Sequence, residues 1–184
     1  MRRQVSRSRR SVLLGLFALS GTALLAGCGW RPVYRGGAGG LAGPAEAGLA
    51  ETSVALIPER TGQLLRQALQ ARFDSGSGST GQRYMLAVSS FSIAGEAIGI
   101  QRDNSISRVR LVGTASWVLS AQDAQRRTLT SGTARQMDGY NIVGQQYFAA
   151  DLESEAVQRR IAEAVADQIT LQVAAFFNRH AAGG

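Results

Sequence analysis

Between Ile106 and Ser120 the side chains alternate in character almost without a lapse, and this period of two constrains the fold more than any other stretch. Val109, Leu111, Ala115, Trp117 and Leu119 share one face of an extended chain, while Arg108, Arg110, Thr114 and Ser116 share the other. Successive side chains of a strand point to opposite sides. The stretch therefore predicts a strand with one face in a core and one polar face, as in an antiparallel sheet covered on a single side. Such a sheet needs a second layer, and the C-terminal part of the chain offers it. From Asp151 onward Val157, Ile161, Val165, Ile169, Val173 and Phe177 recur at four-residue steps, joined by Leu152, Ala164 and Phe176. That period predicts a helix of about 27 residues. Asp151 is its expected N-cap, Glu153 and Glu155 suit the first turn, and Arg179 and His180 the last. Glu155 and Arg159 form an i,i+4 pair of the favourable orientation.

The remaining elements follow from shorter patterns. Thr52 to Ile57 reads as a strand ended by Pro58. Leu64, Leu65, Ala68, Leu69, Arg72 and Phe73 recur at three- and four-residue steps and predict an amphipathic helix over 60–73. The run Asp74 to Gly81, alternating Ser and Gly, stops it in a flexible loop. Arg83 to about Ile93 is rich in strand formers, with a change of phase at Ser89–Ser90 that predicts a bulge. Gln101-Arg102-Asp103-Asn104 and Gln122-Asp123-Ala124-Gln125 read as turns. Arg127 to about Asp138 is a more polar strand, and Gly139 to Ala149 a loop. The fold class is α+β: a two-layer sandwich of a four-stranded, mostly antiparallel sheet with two helices on one face, in the order β-α-β-β-β-α, forming a single domain over 51–180.

The N-terminal part has a different composition. Arg2, Arg3, Arg7, Arg9 and Arg10 precede an apolar run from Val12 to Ala26, and Leu25-Ala26-Gly27-Cys28 ends it. These are the parts of a secretory signal, and the apolar run is shorter than the roughly 20 residues that a membrane-spanning helix needs. Ser8-Arg9-Arg10-Ser11-Val12-Leu13-Leu14 resembles a twin-arginine signal without its usual Phe and Lys, so ordinary secretion and twin-arginine export both stay open; either ends outside the cytoplasm. Leu25 to Cys28 resembles a bacterial lipobox, which implies removal of residues 1–27 and a diacylglycerol on Cys28, the chain's single Cys. Several acyl chains at ~0.8 kcal/mol per buried methylene hold a protein durably to a membrane. Gly29 after the Cys, rather than Asp, favours the outer membrane by resemblance to known sorting. Residues 28–50, Gly- and Ala-rich after Arg35, predict a flexible linker. Trp30 and Tyr34 suit a membrane interface or a docking surface.

The formal net charge of +7 belongs largely to the signal, which holds five of the twenty Arg and none of the thirteen acids. The remainder, at fifteen Arg against thirteen acids, is near +2, so nucleic acid is not an expected partner. Catalytic motifs are as thin. His180 is the only His and Cys28 is committed to lipid, which removes Ser-His-Asp and Cys-His sites and Cys/His zinc sites. Glu96 and Asp103 flank one turn but read as solvated loop acids. Gly95 and Gly99 read as part of a strand-end loop with no following helix to cradle a phosphate. A binding or structural protein without cofactor or metal is expected, rather than an enzyme. Every Lys-or-Arg position is Arg, which grips phosphate or carboxylate with two parallel hydrogen bonds. Arg83, Arg102, Arg108, Arg110, Arg126 and Arg127 either keep a solvated sheet face soluble or form an anion-binding patch at one edge of the sheet.

Cys28-Gly29-Trp30-Arg31-Pro32-Val33-Tyr34 resembles the mature N-terminus of the LptE family of lipopolysaccharide-assembly lipoproteins, particularly its alphaproteobacterial branch. Gln146-Tyr147-Phe148-Ala149 leading into Asp151, and the helix carrying Arg159-Arg160, resemble that family's last helix, as does the order of elements. The resemblance implies an outer-membrane lipoprotein on the periplasmic face, seated in an LptD-type β-barrel, that helps the barrel assemble and delivers lipopolysaccharide to the cell surface. It implies that the polar sheet face packs on the barrel wall. A basic residue in the turn between the second and third strands is associated with lipopolysaccharide in the family. Arg102 falls there, and with Arg108 and Arg110 it would meet the phosphates of lipid A. A second basic position ahead of the last helix is taken here by Ala149-Ala150-Asp151. The alternative reading is an auxiliary lipoprotein of an ABC-type phospholipid or solvent export system.

Overall fold

A computed structural model describes residues 43–73, 81–142 and 147–182. The lipobox, Cys28 and residues 74–80 of the loop expected over Asp74–Gly81 lie outside the described residues. The elements are α1 (Pro44–Ala50), β1 (Thr52–Val54), α2 (Arg60–Phe73), β2 (Tyr84–Ile100), β3 (Ile106–Ala121), β4 (Thr128–Asn141) and α3 (Tyr147–Ala182).

The alternation in β3 has the expected consequence. Leu111, Ala115, Trp117 and Leu119 are buried, together with Leu86 and Val88 of β2 and Ala134 of β4. Against this face α3 lies along β3 and β4, and α2 packs beside it and against β1. The helix contributes Val157, Ile161, Val165, Ile169 and Val173, each at most 1 % exposed. At about 1.5–3 kcal/mol per fully buried aliphatic side chain, this seam is the main favourable term holding the two layers together. Gly113 makes the closest approach possible: a Cβ there would overlap the Ile161 side chain.

The sheet runs β1-β2-β3-β4. β1 is parallel to β2, through Thr52 opposite Tyr84, and the other two pairings are antiparallel. The expected bulge is present between Val88 and Ser90. Its extra residue turns Phe91 and Ile93 onto the helix side, where they pack on the core.

Five boundaries differ from the sequence reading. Residues 44–50 are a helix, not the end of a linker, because Ala45 and Leu49 are buried and Gly48 sits flat on the Phe177 ring, where a Cβ would come within 2.5 Å. With Pro in its first turn, a position that tolerates the missing N–H, α1 is a third helix beside the two expected. β2 continues seven residues past Ile93, to Ile100, and Gly95 and Gly99 lie inside it rather than in a loop, since β3 pairs them through Leu111 and Arg108. β4 likewise runs on to Asn141. Finally, α3 begins at Tyr147 rather than Asp151, so Asp151 is interior to the helix and not its cap; nothing in Tyr147-Phe148-Ala149-Ala150 breaks a helix. β1 is shorter than expected, ending at Val54.

The opposite face of the sheet is uncovered by any described element. Its middle rungs are small and hydroxylated: Ser92, Thr114 and Arg135 form one, Ser90, Ser116 and Thr133 the next. The outer edge of β4 is occupied by two glutamines of α3. Gln168 Oε1 accepts the Arg135 N–H at 3.0 Å, and Gln172 Nε2 donates to the Thr133 carbonyl at 3.1 Å. Sheet edges left open are templates for unwanted pairing; these side chains occupy the middle of this one.

Candidate functional site at the hairpin end

β2 and β3 join through a turn whose shape is set locally. The Gln101 N–H donates to the Ser105 carbonyl at 2.9 Å, and the Asn104 N–H to the Gln101 carbonyl at 3.1 Å. Asn104 takes a left-handed conformation, φ 62°, which Asn tolerates better than most side chains. The Asp103 carboxylate accepts the Ser105 hydroxyl at 2.7 Å and its N–H at 3.0 Å. Those two hydrogen bonds, the hydroxyl's first, hold the Asp103 carboxyl below the usual carboxylate range. Asp103 is thereby a fixed part of the turn, and Arg102 is left exposed at its corner.

The three arginines singled out in the sequence fall at this end but are not equivalent. Arg102 and Arg108 are exposed and make no ion pair among the described residues. Arg108 and Arg110 share the uncovered sheet face. Arg110, half-buried, reaches across to Glu96 at 2.5 Å, its directly opposed neighbour in the register. That pairing offsets part of its charge, and it shows that Glu96 and Asp103 belong to separate local contacts, one with Arg110 and one with Ser105. Arg135, unremarked in the sequence, lies on the same face opposite Thr114 and is exposed. Only the β3–β4 register could have placed it there. Arg83, Arg126 and Arg127 belong elsewhere. They sit at the start of β2 and in the β3–β4 turn, the far end of a 17-residue strand roughly 50 Å long at 3.3 Å per residue. The single patch expected at one edge is two separate groups.

The end near Arg102 also gathers exposed apolar side chains. Ile98, Ile100 and Ile106 are 45, 68 and 43 % exposed, and Met137 on the open face 59 %. Phe148 and Leu152, in the first two turns of α3, are 78 and 57 % exposed. Helix and sheet cease to cover each other beyond Val157, so apolar residues placed there have nothing to pack on. Ala149-Ala150-Asp151, where a basic residue was absent from the sequence, lies in this same start of α3. Guanidinium groups interspersed with exposed isoleucines match an amphiphile with an anionic head. No described helix is long and apolar enough to cross a membrane.

Comparisons with known proteins agree with this architecture. The LptE family of lipopolysaccharide-assembly proteins matches residues 49–173. No curated protein matches the chain. Among solved structures, a lipoprotein from Caulobacter crescentus CB15 superimposes with a TM-score of 0.59 at 23 % identity, covering 73 % of this chain and 98 % of that one. A minor lipoprotein from Acinetobacter baumannii gives 0.53 at 17 % identity, over 68 % and 92 %. Rare lipoprotein B from Shewanella oneidensis gives 0.50 at 12 % identity, over 67 % and 92 %. At these identities the structures establish a shared fold, and the family match covers nearly all of that fold. The chain belongs to the LptE family of lipopolysaccharide assembly.

Proposed function

We propose that this protein is an outer-membrane lipoprotein, anchored through Cys28 on the periplasmic side, that partners an LptD-type β-barrel and offers Arg102 and Arg108 to lipopolysaccharide during its delivery to the cell surface. The observation that carries the reading is the hairpin end, where two arginines that have no carboxylate partner among the described residues stand among exposed Ile98, Ile100 and Ile106 in a chain of a lipopolysaccharide-assembly family. Guanidinium forks suit lipid A phosphates, and isoleucines beside them suit acyl chains. Arg110 has a different role in this scheme: its pairing with Glu96 fixes the strand face on which Arg108 sits. The smooth Ser/Thr face of the sheet is the surface offered to the barrel wall. The sheet's length of roughly 50 Å exceeds a hydrocarbon core of about 30 Å, so a domain inside a barrel lumen reaches from one leaflet level to the other.

Photo-cross-linking to lipopolysaccharide tests the contact. Arg102→Glu is expected to reduce the cross-linked yield several-fold with an unchanged thermal midpoint; an unchanged yield overturns direct contact. Affinity purification from outer membranes is expected to recover a large barrel protein, and recovery of a permease or substrate-binding protein instead would favour the export-system alternative.

A further inference from the structure

The end of the sheet remote from Arg102 has a built feature that the proposed function does not use. A cleft of about 400 Å³ opens there between the starts of β2 and β4 and the last turns of α3, within the range of small-ligand sites. Its floor is aromatic. The Tyr84 and Phe177 rings lie 5.0 Å apart at 57°, and Phe176 meets Phe177 at 5.5 Å, edge to face. His180 stacks on the Phe176 ring at 5.6 Å. Leu129, half-buried, extends the apolar surface.

The rim is cationic. The Arg83 guanidinium stands 5.8 Å from the Tyr84 ring centre and reaches Glu51 through one nitrogen at 3.4 Å. Arg127 is held to Asp123 through Nε at 3.0 Å, which leaves its two terminal nitrogens without a hydrogen bond among the described residues. Asp123 is the one carboxylate on the lining, against Arg83 and Arg127. An apolar floor under two guanidinium groups selects a ligand with both characters.

We propose that this cleft binds an anionic amphiphile, with a phosphate monoester between Arg83 and Arg127 and an acyl chain along Phe176 and Leu129. The cleft is independent of the lipopolysaccharide contact at the hairpin, about 50 Å away along β2. The chain enters the fold at this same end, since α1 rests on the back of Phe177 through Gly48.

The test uses residues 28–184, the chain without its expected signal, carrying Cys28→Ala so that neither the apolar run nor a lipid is present, titrated below the aggregation concentration with dodecyl phosphate and followed by NMR. Saturable 1:1 binding is expected, with shifts at Tyr84, Phe176 and His180. The double variant Arg83→Gln/Arg127→Gln should weaken it at least tenfold, and Arg102→Glu should leave it unchanged. Equal binding of dodecyl maltoside, or of inorganic phosphate, would overturn the proposal, as would shifts centred on the hairpin or a double variant that binds like the parent. Both arginines are exposed, so folding of the variant is expected and is checked by its thermal midpoint; the shift map of the parent decides the location independently. Loss of lipopolysaccharide cross-linking in Arg102→Glu with dodecyl phosphate binding retained separates the two sites.

Discussion

Gly113 and Ile161 meet where sheet and helix come closest, and neither residue tolerates growth of the other. Gly113→Val places two methyl groups where the Ile161 side chain already lies. Overpacking of this kind costs about 1–3 kcal/mol, so the thermal midpoint of Gly113→Val is expected to fall by several degrees; Gly113→Val with Ile161→Ala should recover part of it. The ionised residues give a second prediction. Hydrogen bonding and the charge of Arg160 hold the Asp138 carboxyl below the usual range, and the Asp123 and Glu155 carboxyls are lowered chiefly by hydrogen bonds from Arg127 and Arg60. A carboxyl depressed in the folded state contributes stability that is complete above its unfolded pKa and is lost as pH falls through the folded value. Urea midpoints should therefore decline below about pH 4, the unfolded carboxylate range, and Asp138→Asn should soften that decline. The faces of β3 were legible one residue at a time, because alternation is local. The partner of Arg110 was not: Glu96 lies fourteen residues away, and its position opposite Arg110 depends on the register shifts between Ala97 and Ile100.

At the scale of elements, α2 was legible at both ends and α3 in its core-facing residues, since both carry an apolar stripe with helical period. The misread elements have weak local signals and strong tertiary ones. A seven-residue helix is marginal alone, and the glycines around α1 argue for a linker by composition. It is helical because Ala45 and Leu49 are buried and Gly48 lets the backbone sit on Phe177. Gly48→Leu is expected to detach it: amide exchange over residues 45–50 should accelerate strongly while Leu119 and Ile169 stay protected. Equal protection in variant and parent would mean that α1 does not depend on this contact. The distal half of β2 was missed for a related reason, as Ala94-Gly95-Glu96-Ala97 has little strand propensity of its own and is extended because β3 pairs with it.

The whole molecule is polar in the geometric sense. One end holds Arg102, Arg108 and the exposed isoleucines; the other holds the aromatic cleft and the point where α1 enters. The two-layer α+β class could be read from periodicities of two and of about 3.6, which record what each element buries. The site was only half legible. The arginines were visible as residue types, but their sorting into opposite ends depends on strand length and register, which periodicity does not report. The exposed isoleucines resemble core residues in sequence and are distinguished only by where the helical layer stops covering them.

The unequal reach of helix layer and sheet has a mechanical consequence. Near Leu86 and Leu119 the strands are gripped between a packed layer and one another, whereas past Gly99 and Arg108, where the pairing with β4 also ends, the hairpin is held by its own few hydrogen bonds and most of its side chains are exposed. Such a structure behaves as a cantilever, clamped at its root and compliant at its tip. Its resistance to opening must fall along its length. The amides of the turn carrying Arg102 are thus expected to exchange faster than those of the seam under Trp117.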